Sequence, residues 1–208
     1  MPLAIMARKV PIVALALLSI LAGPGRSARA QSTCLSAKLE AMGKKEAGLL
    51  SCLAAETAKG RATGFGRCIG RVAIKFARAY AKAGTCGEER TRCECLTEDC
   101  AIAVRLALPD SRSKCEAARL RAAGKQAIQK VRCSVEAVTN GRPVDPACLQ
   151  KTEANLQAVF ARTRHCTGDQ TAVETIVNEQ CVSALGADPT GGETIDELCT
   201  SHACDNVD

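Results

Sequence analysis

The chain has 208 residues, 47% of them hydrophobic, with a formal charge of +6, which excludes a wholly disordered polymer. Only four residues are aromatic (Phe65, Phe76, Tyr80, Phe160) and none is tryptophan, so the core must be built from alanine and aliphatic side chains. Fourteen cysteines, an even number at a density that cytosolic proteins seldom carry, point to covalent support in an oxidising compartment.

The first element in chain order is a targeting segment. Arg8 and Lys9 precede the apolar stretch Val10 to Ala22, and Ala28-Arg29-Ala30 has the small-x-small pattern of a signal-peptidase site. Residues 1–30 are therefore predicted to be a signal peptide, with Gln31 first in the mature chain. The apolar run is too short for a bilayer span of roughly 20 residues, and no membrane span is expected. Cleavage would remove Arg8, Lys9, Arg26 and Arg29 and no carboxylate, lowering the formal charge from +6 to +2. The predicted location is the periplasm or the extracellular medium.

The cysteine spacing then repeats. Cys34, Cys52, Cys68 and Cys86 are 18, 16 and 18 positions apart, and Cys115, Cys133, Cys148 and Cys166 are 18, 15 and 18 apart. The offset between the sets is 81 and then 80, and Lys38, Ala41, Gly43 and Lys44 match Arg119, Ala122, Gly124 and Lys125. Tyr80 matches Phe160, and Cys100 and Cys181 again differ by 81. This is an internal duplication, predicted as repeat 1 over 31–109 and repeat 2 over 110–187, with an acidic cysteine-containing tail over 188–208.

Eighteen residues make five helical turns, so the cysteines of each such pair share one helix face about 27 Å apart. Turn signals separate the paired segments: Gly60 to Gly66 in the first repeat, and Asn140-Gly141 with Asp145-Pro146 in the second. Two helices joined by a short turn run antiparallel, so outer cysteines meet at the open end and inner ones at the turn. The predicted staples are Cys34–Cys86, Cys52–Cys68, Cys115–Cys166 and Cys133–Cys148. A third helix follows each hairpin, expected at 97–108 with Glu98 and Asp99 in its first turn, and at 171–185 with Thr171 and Glu174 as a capping box. The fold class is all-α: two tandem stapled hairpins, each followed by a third helix. Six cysteines remain (Cys93, Cys95, Cys100, Cys181, Cys199, Cys204); their pairing is open, with Cys181 expected to reach Cys199 or Cys204. Gly43 and Gly124 fall mid-helix, which fits either close helix approach or a tolerated surface glycine copied with the repeat.

Catalytic or ligand-binding groups are sparse. The thiols are even in number and mostly have geometric partners, so a catalytic cysteine and its base are not expected. The two histidines are His165, beside Cys166, and His202, which with Cys199 and Cys204 forms a loose Cys/His cluster; Cys93, Cys95 and Cys100 form another. These are the alternative, a metal-handling protein, although the Cys-x-x-Cys spacing of zinc sites is absent. No cofactor is expected, and a hydrolase working through carboxylates is a further alternative. On the segment after Cys68, Ile69, Val72, Phe76, Ala79, Tyr80 and Ala83 fall on one face and Arg71, Lys75, Arg78 and Lys82 on another. That cationic stripe is either a solvated face answered by the acidic tail or a contact for an external anionic partner. Nucleic acid is not expected, because no aromatics interleave the basic residues and the mature charge is nearly balanced. The leading expectation is an exported, non-enzymatic scaffold or binding module with a protein or anionic-surface partner.

The 18-residue cysteine pairs, the Ala-x-Gly-Lys at 41–44 and 122–125 and the Cys-Thr-Gly-Asp at 166–169 are similar to uncharacterised exported bacterial proteins built of paired-cysteine helical-hairpin repeats. The similarity covers nearly all of the mature chain and implies export and the fold, with no activity attached. In architecture alone the hairpins also resemble twin-cysteine coiled-coil-helix proteins and plant α-hairpinins, which use shorter spacings.

Overall fold

The computed structural model describes residues 25–60, 64–86, 90–109 and 113–187. Within them the chain is helical: α1 (Gly25–Lys59), α2 (Phe65–Ala83), α3 (Arg90–Leu106), α4 (Lys114–Asn140), α5 (Pro146–Arg162) and α6 (Gln170–Ile176). A π-helical turn over 177–182 and a 3-10 turn over 183–185 continue α6, and no strand occurs among the described residues. Residues 1–24 of the predicted signal peptide 1–30 and the tail 188–208, with Cys199, His202 and Cys204, lie outside the described residues, and residues 25–30 form the start of α1.

Local chemistry accounts for the ends. Ser113 caps α4 by accepting the Glu116 N–H at 3.2 Å, and Asp145 caps α5 by accepting the Ala147 N–H at 2.9 Å ahead of Pro146. Gly141, at φ 58°, ends α4 in the left-handed conformation, and Arg142 N–H returns to the Ala137 carbonyl at 3.0 Å.

The third segments depart from expectation. α3 begins at Arg90 rather than near residue 97, so Cys93 and Cys95 lie inside the helix and Glu98 and Asp99 are not in its first turn. Thr97 lies mid-helix, fully buried, and donates its hydroxyl to the Glu94 carbonyl at 2.7 Å. In the second repeat Asp169, not Thr171, is the cap, its carboxylate accepting the Thr171 N–H at 2.8 Å. The α-helical hydrogen bonding there also ends early, at Ile176.

α1 and α2 form one antiparallel hairpin, closed by Cys34–Cys86 (Cα–Cα 6.2 Å) and Cys52–Cys68 (5.8 Å). α4 and α5 form the other, closed by Cys115–Cys166 (6.4 Å) and Cys133–Cys148 (6.0 Å). These are the pairs that a five-turn spacing selects. Cys181 is a correction: it is bonded to Cys100, not to the tail (Cα–Cα 5.0 Å). Both sulfurs are fully buried where α3 meets the turn after α6, whereas the expected tail partner rested on sequence proximity alone.

The hairpins pack through α1 against α4. A Cβ on Gly43 would stand 3.1 Å from Val131, and one on Gly124 would stand 3.0 Å from Leu50 Cβ and 3.2 Å from Ala47 Cα. Gly43 and Gly124 are equivalent under the 81-residue offset, as are Leu50 and Val131, so the interface has an internal two-fold relation. Both glycines are therefore close-approach positions. The core between the repeats is aliphatic, with Leu39, Met42 and Leu50 meeting Leu120, Ala123, Ala127 and Val131, and with Phe76, Leu156 and Phe160 closing its flanks.

One more duplicated feature stands at each hairpin's open end. Lys38 and Arg119 are equivalent and both buried; Lys38 lies 4.5 Å over the Tyr80 ring and Arg119 4.3 Å over the Phe160 ring. Lys38 donates to the Cys86 carbonyl and Arg119 to the equivalent Cys166 carbonyl, at 3.2 Å in the second case. Burial pushes both cations' pKa values down from their ordinary positions.

Candidate functional site

α2 contains Arg67, Arg71, Lys75, Arg78 and Lys82 and not one carboxylate. Positions 71, 75, 78 and 82 recur at four, three and four residues, so Phe76 and Tyr80 turn into the core while the four cations stay on the outer side. All four are exposed. Some cations elsewhere have a carboxylate partner: Lys44 has Glu40 at 2.9 Å, Lys130 has Glu153 at 2.7 Å, and the fully buried Lys45 has Glu98 at 2.8 Å and Glu94 at 3.5 Å. None of Arg71, Lys75, Arg78 and Lys82 has a carboxylate within ion-pair distance among the described residues. The stripe thus carries charge that the helix neither needs nor neutralises, since like charges three and four apart weaken it slightly.

Beside the stripe lies a groove of about 320 Å³ between α1 and α2. Its walls are Ala41, Gly48, Val72, Phe76 and Ala79, and Lys44, Lys45 and Lys75 stand around it. Lys75 therefore belongs to both features. A smaller groove of about 130 Å³ lies between α4 and α5, lined by Lys125, Gln126, Gln129, Asn155, Val159 and Arg162 among others. Under the repeat offsets Gly48 becomes Gln129, Lys45 becomes Gln126 and Lys75 becomes Asn155. The longer Gln129 side chain occupies space where the first repeat has glycine, and the charge at two of the three lysine positions is gone. Of the two equivalent grooves, the first is the wider and has lysine at all three positions.

Of the cysteines proposed above as metal ligands, those among the described residues present no thiolate. Cys100 is bonded to Cys181, and Cys93 and Cys95 are also disulfide-bonded. His165 is brought instead to the Cys115–Cys166 staple, with Nε2 3.7 Å from Cys115 Sγ.

The groove is missed by sequence reasoning, as are Lys45 and Gly48. The repeat alignment holds the signal for them, because a residue that differs between two copies at a position of shared structure marks where the copies do different things. No family model, curated protein or solved structure matches the chain.

Proposed function

We propose that the protein is an exported, non-enzymatic helical module that binds an anionic partner through the α2 stripe and the rim of the adjoining groove. The observation that carries this is the set of four exposed cations, one face of one helix, that find no ion pair among the described residues while Lys44, Lys45 and Lys130 each have one. Four separated positive charges along roughly 16 Å of helix favour an extended acidic surface over a single small ion. A face of this kind steers association and gives specificity, and its contribution falls as salt rises.

The staples support the same reading. Both hairpins are closed at both ends, so the helices that present the stripe are held without a large aromatic core. Bonds of this number belong to an oxidising compartment, and no described helix is long and apolar enough to cross a membrane. Export by cleavage after Ala30 leaves α1 starting at Gln31, three residues before its first staple.

The test is capture of partners from the native envelope or medium by wild type and by Arg71→Glu/Arg78→Glu. The variant should keep its disulfides and helicity and lose a partner that raised salt also releases. Identical partner sets for the two proteins would reduce the stripe to a solvated face.

A further inference from the structure

The second hairpin's outer staple carries a histidine that the first lacks. Cys34–Cys86 has Thr85 before its second cysteine, whereas Cys115–Cys166 has His165 there. The imidazole is exposed and its Nε2 lies 3.7 Å from Cys115 Sγ, while both cysteines are half-buried. We propose that Cys115, His165 and Cys166 form a site for a divalent thiophilic cation, with zinc as the reference ion, and that reduction of the staple opens it.

Distance supports the ligand set. With Zn–S about 2.3 Å and Zn–N about 2.0–2.1 Å, two ligands of a tetrahedral ion are about 3.6 Å apart, close to the Sγ–Nε2 separation already present. The two sulfurs need to part only from bonding distance to about 3.8 Å, within the reach of side-chain rotation. Two thiolates and an imidazole leave the fourth position for water or an exchangeable ligand.

The loop also has an anchor that does not depend on the disulfide. Arg119 Nε donates to the Thr163 hydroxyl at 3.0 Å, and its NH2 group donates to the Thr163 carbonyl at 2.8 Å and the Cys166 carbonyl at 3.2 Å. NH1 reaches the carbonyls of Thr167 and Gly168. With the ring of Phe160 beneath the guanidinium and Cys133–Cys148 intact at the far end, 163–168 stays seated when the sulfur–sulfur bond opens. In the first repeat the equivalent Lys38 makes, among the described residues, a single such contact to a loop carbonyl, at Cys86.

The chemistry balances with a dithiol as reductant. The dithiol transfers two electrons and two protons to the Cys115–Cys166 bond and closes to its own disulfide. The cation then takes both sulfurs as thiolates and Nε2 of neutral His165, and the two thiol protons pass to solvent. Access favours this bond, because Cys52, Cys133, Cys100 and Cys181 are each at most 3% exposed. Of the two half-buried outer staples, this one has an imidazole beside a sulfur, Nε2 of His165 lying 3.7 Å from Cys115 Sγ.

The experiment treats the oxidised full chain with increasing dithiothreitol without denaturant, then alkylates and maps the labelled cysteines by mass spectrometry. Cys115 and Cys166 should label before Cys34 and Cys86, with helical circular dichroism retained. The selectively reduced protein should then bind one equivalent of Co²⁺ with a tetrahedral visible spectrum that Zn²⁺ displaces. His165→Thr, the residue of the first repeat, should weaken that binding at least ~10-fold with the thiols unchanged. Earlier or equal labelling of Cys34 and Cys86, loss of helix on reduction, no tetrahedral cobalt spectrum, or His165→Thr binding as wild type would each overturn the proposal.

Discussion

Cys100 and Cys181 occupy the same position in the two repeats and are bonded to each other, with their Cα atoms 5.0 Å apart. Equivalent residues can meet in this way only on the axis that relates the copies. The bond therefore joins the repeats a second time, through α3 and the turn after α6, beside the α1–α4 interface that holds the glycine contacts.

Removing this bond should be costly. It closes a sequence separation of 81 residues, which the intact Cys115–Cys166 bond inside that span shortens to a loop of about 30, worth about 3.5–4 kcal/mol in the loop-entropy treatment. Cys100→Ala/Cys181→Ala is expected to lose a large part of that in denaturant unfolding, with the four hairpin staples still present in non-reduced peptide maps.

The two glycines should respond unequally. Alanine at Gly124 meets the backbone Cα of Ala47 as well as Leu50 Cβ, whereas the nearest atoms to an alanine at Gly43 all belong to the Val131 side chain. Gly124→Ala is expected to destabilise by about 1–3 kcal/mol despite better helix propensity, and Gly43→Ala by less. Chemical denaturation of the two variants checks the order.

Much of this architecture was legible in the cysteines, because a spacing of five turns is a geometric statement about helix faces. The Cys100–Cys181 bond was also visible, as the same 81-residue offset, but an offset shows equivalence and not contact. Only packing reveals that the copies face each other across it. Arg119 was legible as a partner of Lys38 in the alignment, yet its role at the loop depends on Thr163, Cys166 and Thr167 carbonyls that no side-chain pattern encodes. Glu98 and Asp99 read as a first turn and so place the start of α3 too late; in the fold both sit mid-helix, where Glu98 pairs with the buried Lys45 at 2.8 Å. The cationic stripe was fully readable, since periodicity decides it; the groove beneath was not, since it depends on the fit of α1 to α2.

Stability should fall as pH rises, through Glu46. Its carboxyl is fully buried on α1, both oxygens lack a hydrogen-bond partner, and desolvation raises its pKa well above the ordinary 4.5, opposed by the neighbouring Lys45 ammonium. The folded state then holds a proton that the unfolded state releases, so this contribution is complete below about 4.5 and lost between there and the folded-state value. Glu46→Gln should flatten that part of the pH profile. An unchanged slope in denaturant midpoints across the window would assign the dependence elsewhere.

The most direct measurement compares the salt-dependent binding of three proteins to an immobilised polyglutamate peptide. They are wild type, Arg71→Glu/Arg78→Glu on α2, and Arg121→Glu/Arg132→Glu at exposed positions of α4, which changes the net charge equally. The α2 variant should lose at least ~10-fold in affinity, equivalent to about 1.4 kcal/mol, together with most of the salt dependence. The α4 variant should keep most of both. Equal losses in the two variants, or none in either, would contradict a binding face on α2.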